Sequence, residues 1–258
     1  MKKRDRQSKL VDLVRDREKM SVEELAAALD ASRETIRRDL SDLARAGTIL
    51  KVHGGAMIAR LPGEGPFRHR MSQNVAAKAR IARAAAQLFR PGETLMIDTG
   101  STTLFLAEEL AGIAGLTVVT NATEIARTIA RARNGSRAFL LGGEYGLDNS
   151  QTIGAMVTGQ IRLLRAHHAV LTVGALDHLS GAMDYDLREA EIAQAMIAQA
   201  RRVTVLADAS KFGALASFQV CPLARIDTLV SDTPPPPEIR EALEASGGRL
   251  VLCEAPEE

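Results

Sequence analysis

Residues 21–55, SVEELAAALDASRETIRRDLSDLARAGTILKVHGG, constrain the fold more than any other stretch of the chain. Ser21, with Glu24 three residues later, makes a capping box, and Leu25 and Leu29 then repeat at helical spacing. Asp30-Ala31 is a short polar break. Ser32 caps a second helix, Arg33 to Ala46, whose apolar face is Ile36, Leu40 and Leu43. Gly47 ends that helix, and Thr48–Val52 reads as a β segment closing on Gly54-Gly55. Upstream, Leu10, Leu13 and Val14 share one face of a supporting helix over residues 6–19. The pattern predicts a winged helix-turn-helix, which fills the major groove of DNA with the N-terminal half of its second helix. Arginine reads guanine bidentately, and threonine reaches a phosphate, a thymine methyl or a base edge. Ser32, Arg33, Thr35, Arg37 and Arg38, with Lys51 and His53 in the wing, are therefore the expected contacts to double-stranded DNA. A protein-interaction module with a solvated arginine face is the alternative. The ordered run of cap, turn, paired arginines and wing argues against it.

With 258 residues, the chain has room for one small and one medium domain, each with its own core. Charge is split between them. Residues 1–60 carry 14 Lys+Arg against 10 Asp+Glu, and residues 61–258 carry 19 against 22. A basic head on a mildly acidic body suits a nucleic-acid reader with a separate sensor. Cys221 and Cys253 have no redox or metal spacing and read as buried thiols. The five histidines, at 53, 69, 167, 168 and 178, show no metal spacing either. Neither a signal peptide nor a membrane span is expected, so the expected location is the cytoplasm.

The expected division is a head over residues 1–57, a linker over 58–73 containing Pro62, Gly63, Gly65 and Pro66, and a body over 74–258. The cluster Phe67-Arg68-His69-Arg70 could contact DNA or dock the linker onto the body. From residue 74 the pattern alternates. Strands are expected at 94–97, 116–119, 137–141, 168–173, 203–207, 228–230 and 249–252. Helices are expected at 75–89, 102–110, 124–132, 153–164, 188–200 and 238–245. Such alternation predicts an α/β body with a mostly parallel sheet and helices on both faces.

Ligands of parallel α/β sheets gather at the carboxyl ends of the strands. Five expected strands end in small, polar or charged residues: Asp98-Thr99-Gly100-Ser101-Thr102-Thr103, Thr120-Asn121, Gly142-Gly143-Glu144, Gly174-Ala175 and Asp208-Ala209-Ser210-Lys211-Phe212-Gly213. A glycine flanked by hydroxyls at a helix N-terminus suits a phosphate, although simple capping by Ser101 or Thr102 would look the same. Lys211 is the cation expected to face a phosphate, against the plainer reading of a solvated loop lysine.

The TIRRDL core, Thr35 to Leu40, then Leu43 and His53-Gly54-Gly55-Ala56, resembles the DeoR family of bacterial transcriptional regulators. The DTGSTT, TNA, LGGE and ADASKFG segments extend that resemblance over nearly the whole chain. It implies a sensor domain similar in fold to ribose-5-phosphate isomerase, controlled by a phosphorylated small molecule. Asp98, Gly100, Ser101, Thr102, Asn121, Gly142 and Lys211 are the implied effector residues. Gly100–Thr102 would cradle phosphate and Lys211 would supply charge. Asp98 would accept from a ligand hydroxyl or orient Lys211. Three stretches, Ser231–Pro236, Leu250–Cys253 and Tyr185-Asp186 ahead of Glu189, are most similar to members responding to glycerol 3-phosphate, and imply that effector. The resemblance also implies a dimer or tetramer, repression, and no cofactor, metal or turnover. Other sugar phosphates remain as effectors. Carboxylates Asp98, Asp184, Asp186, Glu189 and Asp208 with Lys211 leave a sugar-phosphate isomerase as the enzymatic alternative.

Overall fold

The computed structural model describes residues 3–17, 19–45, 49–52, 54–58 and 65–253. The chain divides into two compact units, Met1–Leu61 and Pro62–Glu258.

The first unit comprises α1 (Lys3–Asp16), β1 (Lys19–Ser21), α2 (Val22–Ala28), α3 (Arg33–Arg45), β2 (Ile49–Val52) and β3 (Gly55–Ile58). The capping box forms as its residue types demand: Glu24 N–H donates to Ser21 Oγ at 3.1 Å, and Ser21 N–H donates to Glu24 Oε2 at 2.7 Å. Ser32 caps α3 by accepting from Thr35 N–H at 3.2 Å. Asp30 takes φ 47°, the left-handed geometry that turns the chain between the two helices. Leu10, Val14, Leu25, Ile36, Leu40 and Ile49 close one core. Each fully buried Leu or Ile there stabilises by roughly 1.5–3 kcal/mol. Strands β2 and β3 form the wing, with Lys51 opposite Ala56, and β1 adds on β3. Gly47, Thr48 and His53 lie outside the described residues, as does the side chain of Lys51.

The second unit begins with α4 (Phe67–Ser72) and α5 (Val75–Ala86). There follow β4 (Thr94–Ile97), α6 (Ser101–Leu110), β5 (Thr117–Thr120), α7 (Thr123–Arg131), β6 (Arg137–Leu140), β7 (Glu144–Gly146), β8 (Gln151–Ile153) and α8 (Ala155–Ile161). The remainder is β9 (Ala166–Thr172), β10 (Ala175–Asp177), β11 (Gly181–Asp184), α9 (Leu187–Gln199), β12 (Ala200–Leu206), β13 (Phe218–Cys221), β14 (Thr228–Ser231), α10 (Pro237–Ala245) and β15 (Arg249–Leu252). Seven strands form one sheet in the order β15-β14-β12-β9-β4-β5-β6, and every pairing in it is parallel. Alternate residues feed the two faces. Leu95, Ile97, Val118 and Val170 pack with α5, α6 and α7, while Met96, Val119, Ala169 and Leu171 pack with α8 and α9. Strand order grows from β4 through β5 to β6 on one side and from β9 outward on the other, so the topological switch lies between β4 and β9. That is where such sheets open a crevice.

Two expectations need correction. Residues 67–72 are not linker: they form α4 within the second unit, with the Phe67 N–H donating to Asp148 Oδ2 at 3.2 Å. The helix expected from residue 153 starts only at Ala155: Ile153 ends the strand Gln151–Ile153, and Gly154, at φ 94°, separates the two. The small antiparallel pieces β7–β8 and β10–β11–β13 carried too few residues to show a period.

Among the described histidines and cysteines, His168 and Cys221 are buried in the core, and Cys253, expected to be buried, is half-buried. His168 is buried edge-on against Phe89, with ring centroids 5.1 Å apart, and burial holds its pKa below the usual histidine value. Cys221 is buried, and the Cys253 thiol donates to Ser231 O at 3.0 Å.

Candidate functional site

In the first unit, α3 turns Ile36 and Leu40 inward and leaves Arg33, Arg37 and Arg38 exposed. Arg38 is paired loosely with Glu34 on its own helix, at 3.2 Å, and Arg33 lies 3.7 Å from Glu23. Exposed pairs of this kind are weak and exchange readily for a phosphate or a base edge. The Thr35 hydroxyl is bonded to Ser32 Oγ at 2.8 Å, so both belong to the cap that orients the start of the helix. Arg37 borders a hollow shared with Val22, Leu40, Val52 and Gly54, between the helices and the wing. Asp39 on the opposite face is buried and accepts from Arg6 Nε at 2.6 Å, clamping α3 to α1.

In the second unit, a cleft opens at the switch between β4 and β9. Gly100 sits at the N-terminus of α6 with no side chain capping it. It is a glycine because the loop lies against β9: a β-carbon there would fall 1.9 Å from Thr172 Oγ1. Thr103 Oγ–H is bonded to the carbonyls of Asp98 and Gly100, each at 3.1 Å, fixing the loop and leaving the first-turn N–H groups of α6 pointing outward.

One end of the cleft is a hollow of about 150 Å³ lined by Ser101, Gly174, Tyr185, Arg70, Lys78 and Lys211, among others. Three cations thus converge on the N-terminus of α6. Lys78 is buried, and its ammonium donates to the Arg70 carbonyl. Asp208 supports this end structurally. Its Oδ1 accepts from Ser210 N–H at 2.9 Å and from Asn74 Nδ2 at 3.2 Å, shaping the turn that carries Lys211.

The other end is acidic. A hollow of about 440 Å³ shares Arg70 and Tyr185 with the basic one and adds Glu144, Asp148, Asp184, Asp186 and Glu189, with Arg188 as a second cation. A small cavity of about 10 Å³, sharing Gln151, Asp184 and Glu189, reaches inward to Asp98 and Asn121. Asp98 Oδ2 accepts from Thr172 N–H at 2.8 Å. Burial pushes the Asp98 pKa well above the ordinary carboxylate value. The Thr172 bond opposes that push, and the charges of Asp184 and Glu189 add to it. Glu189 is likewise raised by burial, against hydrogen bonds from Gln151 and Asn149 and the charge of Arg70. Among the described residues no group of three or more His, Cys, Asp or Glu is arranged to hold a metal ion, and no helix is long and apolar enough to cross a membrane.

The expected effector residues therefore separate. Ser101 and Lys211 meet at the basic end, and Asp98 and Asn121 meet at the acidic end. Asp98 orienting Lys211 is not what the fold arranges, since the two line different hollows. Gly100 shapes the loop, and Thr102 is buried behind it. Gly142 lines none of the three hollows. Its N–H donates to Gln160 Oε1 at 3.1 Å and its carbonyl accepts from Gln160 Nε2 at 2.7 Å, so its backbone is committed away from the cleft, which receives Glu144 from that loop instead. Arg70 and Lys78 were missed as cleft residues. Lys78 had a legible signal: in α5 it precedes Ala82 by four residues and Ala85 by seven, which puts a lysine on the buried stripe.

Two family models match the chain. The DeoR-like helix-turn-helix domain covers residues 6–60, and the DeoR C terminal sensor domain covers residues 73–233. The chain is similar to the glycerol-3-phosphate regulon repressor of Escherichia coli, 31% identical over 98% of this chain and 100% of that protein. It is also similar to the HTH-type transcriptional repressor CsqR of Escherichia coli, 30% identical over 96% of this chain and 94% of that one. The HTH-type transcriptional regulator UlaR of Shigella flexneri is 32% identical over 90% of this chain and 92% of that one. Among solved structures, ribose 5-phosphate isomerase A from Methanocaldococcus jannaschii matches with a TM-score of 0.39 and 15% identity, over 54% of this chain and 55% of that one. A probable sor operon regulator from Shigella flexneri matches with a TM-score of 0.38 and 16% identity, over 54% and 77%.

Proposed function

The chain belongs to the DeoR family, and from that membership we propose that it is a transcriptional repressor whose hold on its operator is released by a phosphorylated small molecule, with glycerol 3-phosphate the favoured effector. The observation that carries the effector half is the convergence of Lys78, Lys211 and Arg70 on the uncapped N-terminus of α6. Backbone N–H groups, the helix dipole and three cations together suit a phosphate dianion. The operator half rests on α3, which offers Arg33, Arg37 and Arg38 beside a wing. One such head covers too little DNA for operator specificity, so two heads on a repeated site are proposed, on at least a dimer.

The effector must favour the arrangement that does not bind DNA, because a ligand shifts an equilibrium only by its differential affinity for the two states. Identity near 31% to the glycerol-3-phosphate regulon repressor supports glycerol 3-phosphate. A similar level of identity to UlaR and CsqR keeps other phosphorylated metabolites as the second reading. The isomerase alternative is set aside: Asp98, Asp184, Asp186 and Glu189 line hollows that Lys211 does not, Asp208 is engaged in shaping the Lys211 turn, and a DNA-binding head shares the chain.

Fluorescence anisotropy of promoter DNA from the protein's own gene cluster, at fixed salt because phosphate contacts make affinity salt-dependent, tests both halves. Specific binding released by glycerol 3-phosphate is the expected result. Specific binding indifferent to it but released by another sugar phosphate would replace the effector. Sequence-independent binding to this DNA and to every site recovered by random-site selection would refute the operator reading.

A further inference from the structure

Helix α4 has no buried face. Phe67, His69, Arg70 and Met71 are half-buried, and Arg68 and Ser72 are exposed. The buried side chains of the unit's two cores begin only at Ile81, in α5. Between the two helices Gln73 is extended, at ψ 142°, and Asn74 takes φ 51° and ψ 33°. The chain thus turns a left-handed corner between a helix outside the core and a helix anchored in it. A short corner of this kind is where a φ/ψ change is readily absorbed.

The bonds that hold α4 are polar and come from the walls of the cleft. At its start, Phe67 N–H donates to Asp148 Oδ2 at 3.2 Å, and Asp148 lines the larger hollow. Toward its end, the ammonium of Lys78, which lines the basic hollow, donates to the Arg70 carbonyl. At the corner, Asn74 Nδ2 donates to Asp208 Oδ1 at 3.2 Å, and both residues line the basic hollow. The Arg70 side chain itself lines both hollows. An element held by a few polar bonds opens far more readily than one that buries an apolar face.

An anion in the basic hollow changes the balance. An ammonium has three N–H donors, so Lys78 can hold a phosphate oxygen and keep the Arg70 carbonyl. Arg70 reaches that hollow from α4, so the anion gains its guanidinium only while α4 is docked. The ligand favours the docked arrangement by that difference. Helix α4 is also the first element after the stretch matched by the helix-turn-helix model, which ends at residue 60.

We propose that α4 is the switch through which the effector acts on the head: docked on the cleft wall, it completes the effector site with Arg70 and belongs to the DNA-released state; undocked, it belongs to the operator-bound state. This rests on the phosphate reading of the basic end. By linkage, whatever loosens α4 weakens effector binding and favours the operator.

Phe67 offers a variant that leaves the cleft lining intact, because it lines none of the three hollows. It is the first residue of α4, where proline suits a helix but carries no N–H. Phe67→Pro therefore removes the bond to Asp148, and Phe67→Ala keeps it. Both lose the ring that the Arg70 guanidinium overlies at 5.3 Å. Hydrogen–deuterium exchange of the full chain, with and without glycerol 3-phosphate or inorganic phosphate, follows α4 directly, since a six-residue helix melts once undocked. The amides of His69 and Arg70, bonded to the Pro66 carbonyl, should exchange about tenfold or more slowly at saturating ligand. Phe67→Pro should exchange them faster without ligand and bind operator as tightly as the wild type or more so. It should also need several-fold more glycerol 3-phosphate for release than Phe67→Ala. Calorimetric binding of either ligand with α4 exchange unchanged would overturn the proposal and leave the phosphate reading standing. Equal release in the two Phe67 variants would overturn it too. If neither ligand binds, the phosphate reading itself falls and takes this one with it.

Discussion

Gly100→Ala is the substitution on which backbone reasoning and packing disagree in sign. Gly100 has φ −150° and ψ 160°, extended backbone open to any residue. On that ground alone, alanine should stabilise by ~0.4–1 kcal/mol, by narrowing the unfolded ensemble. Packing reverses this. The added β-carbon would lie 1.9 Å from Thr172 Oγ1, 2.8 Å from Thr172 Cβ and 2.9 Å from Cγ2. Ordinary contact begins at 3.4 Å, so loop and strand must part by about 1.5 Å. Strand β9 cannot easily yield, because Thr172 N–H is bonded to Asp98 at 2.8 Å and β9 lies between β4 and β12 in the sheet. The loop moves instead and carries the first turn of α6 with it. Overpacking of this kind costs ~1–3 kcal/mol. A displacement near 1 Å of a binding group weakens a preorganised site by roughly tenfold or more. Urea unfolding reads the first number, and the glycerol 3-phosphate concentration needed to release operator DNA reads the second. The variant should still bind DNA and resist release. Thr172→Ala removes Oγ1 and Cγ2, so the double variant should recover part of both losses. A Gly100→Ala protein as stable as the wild type or more so, or a strictly additive double variant, would refute the packing argument.

Three further outcomes follow. Arg37→Ala should weaken operator binding by ~1–3 kcal/mol and leave calorimetric effector affinity unchanged; loss of effector binding would contradict the division of labour between the two units. Lys211→Met should raise the effector concentration needed for release without altering DNA affinity, and Lys78→Met should do the same with an added loss of thermal stability, because its ammonium is buried against the Arg70 carbonyl. His168 is held below its unfolded pKa of 6.5, chiefly by burial, so its neutral form is the folded one. Its contribution is full above 6.5 and is lost as pH falls through the folded value. His168→Phe should flatten the acid side of the melting-temperature profile, and an unchanged slope would place the acid sensitivity elsewhere.

Local signals in the sequence determined much of this protein. Ser21 with Glu24, Ser32, and the apolar spacing of Ile36 and Leu40 act within a few residues of themselves, and they fixed the head. Runs such as Thr94–Ile97 and Thr228–Ser231 are continuous because both faces of a parallel sheet are covered there, so these strands were legible without partners. The glycine-hydroxyl loop after β4 was legible too, because strand ends collect ligands whatever the strand order.

Which strand ends meet was decided only by the tertiary structure. The order β9-β4 brings Thr172 against Gly100, residues 72 positions apart in sequence, and the packing of α8 lets Gln160 take both backbone groups of Gly142. The placement of α4 and α5 delivers Arg70 and Lys78 to the hollow beside Ser101 and Lys211, which no strand-end rule could assign to them. The hydrogen bonds that run from Asn121 through Gln151 to Glu189 exist only because the fold brings three separate elements together. Periodicity and capping are short-range properties of the chain. Charge at a site is a sum over neighbours, and the fold alone chooses the neighbours.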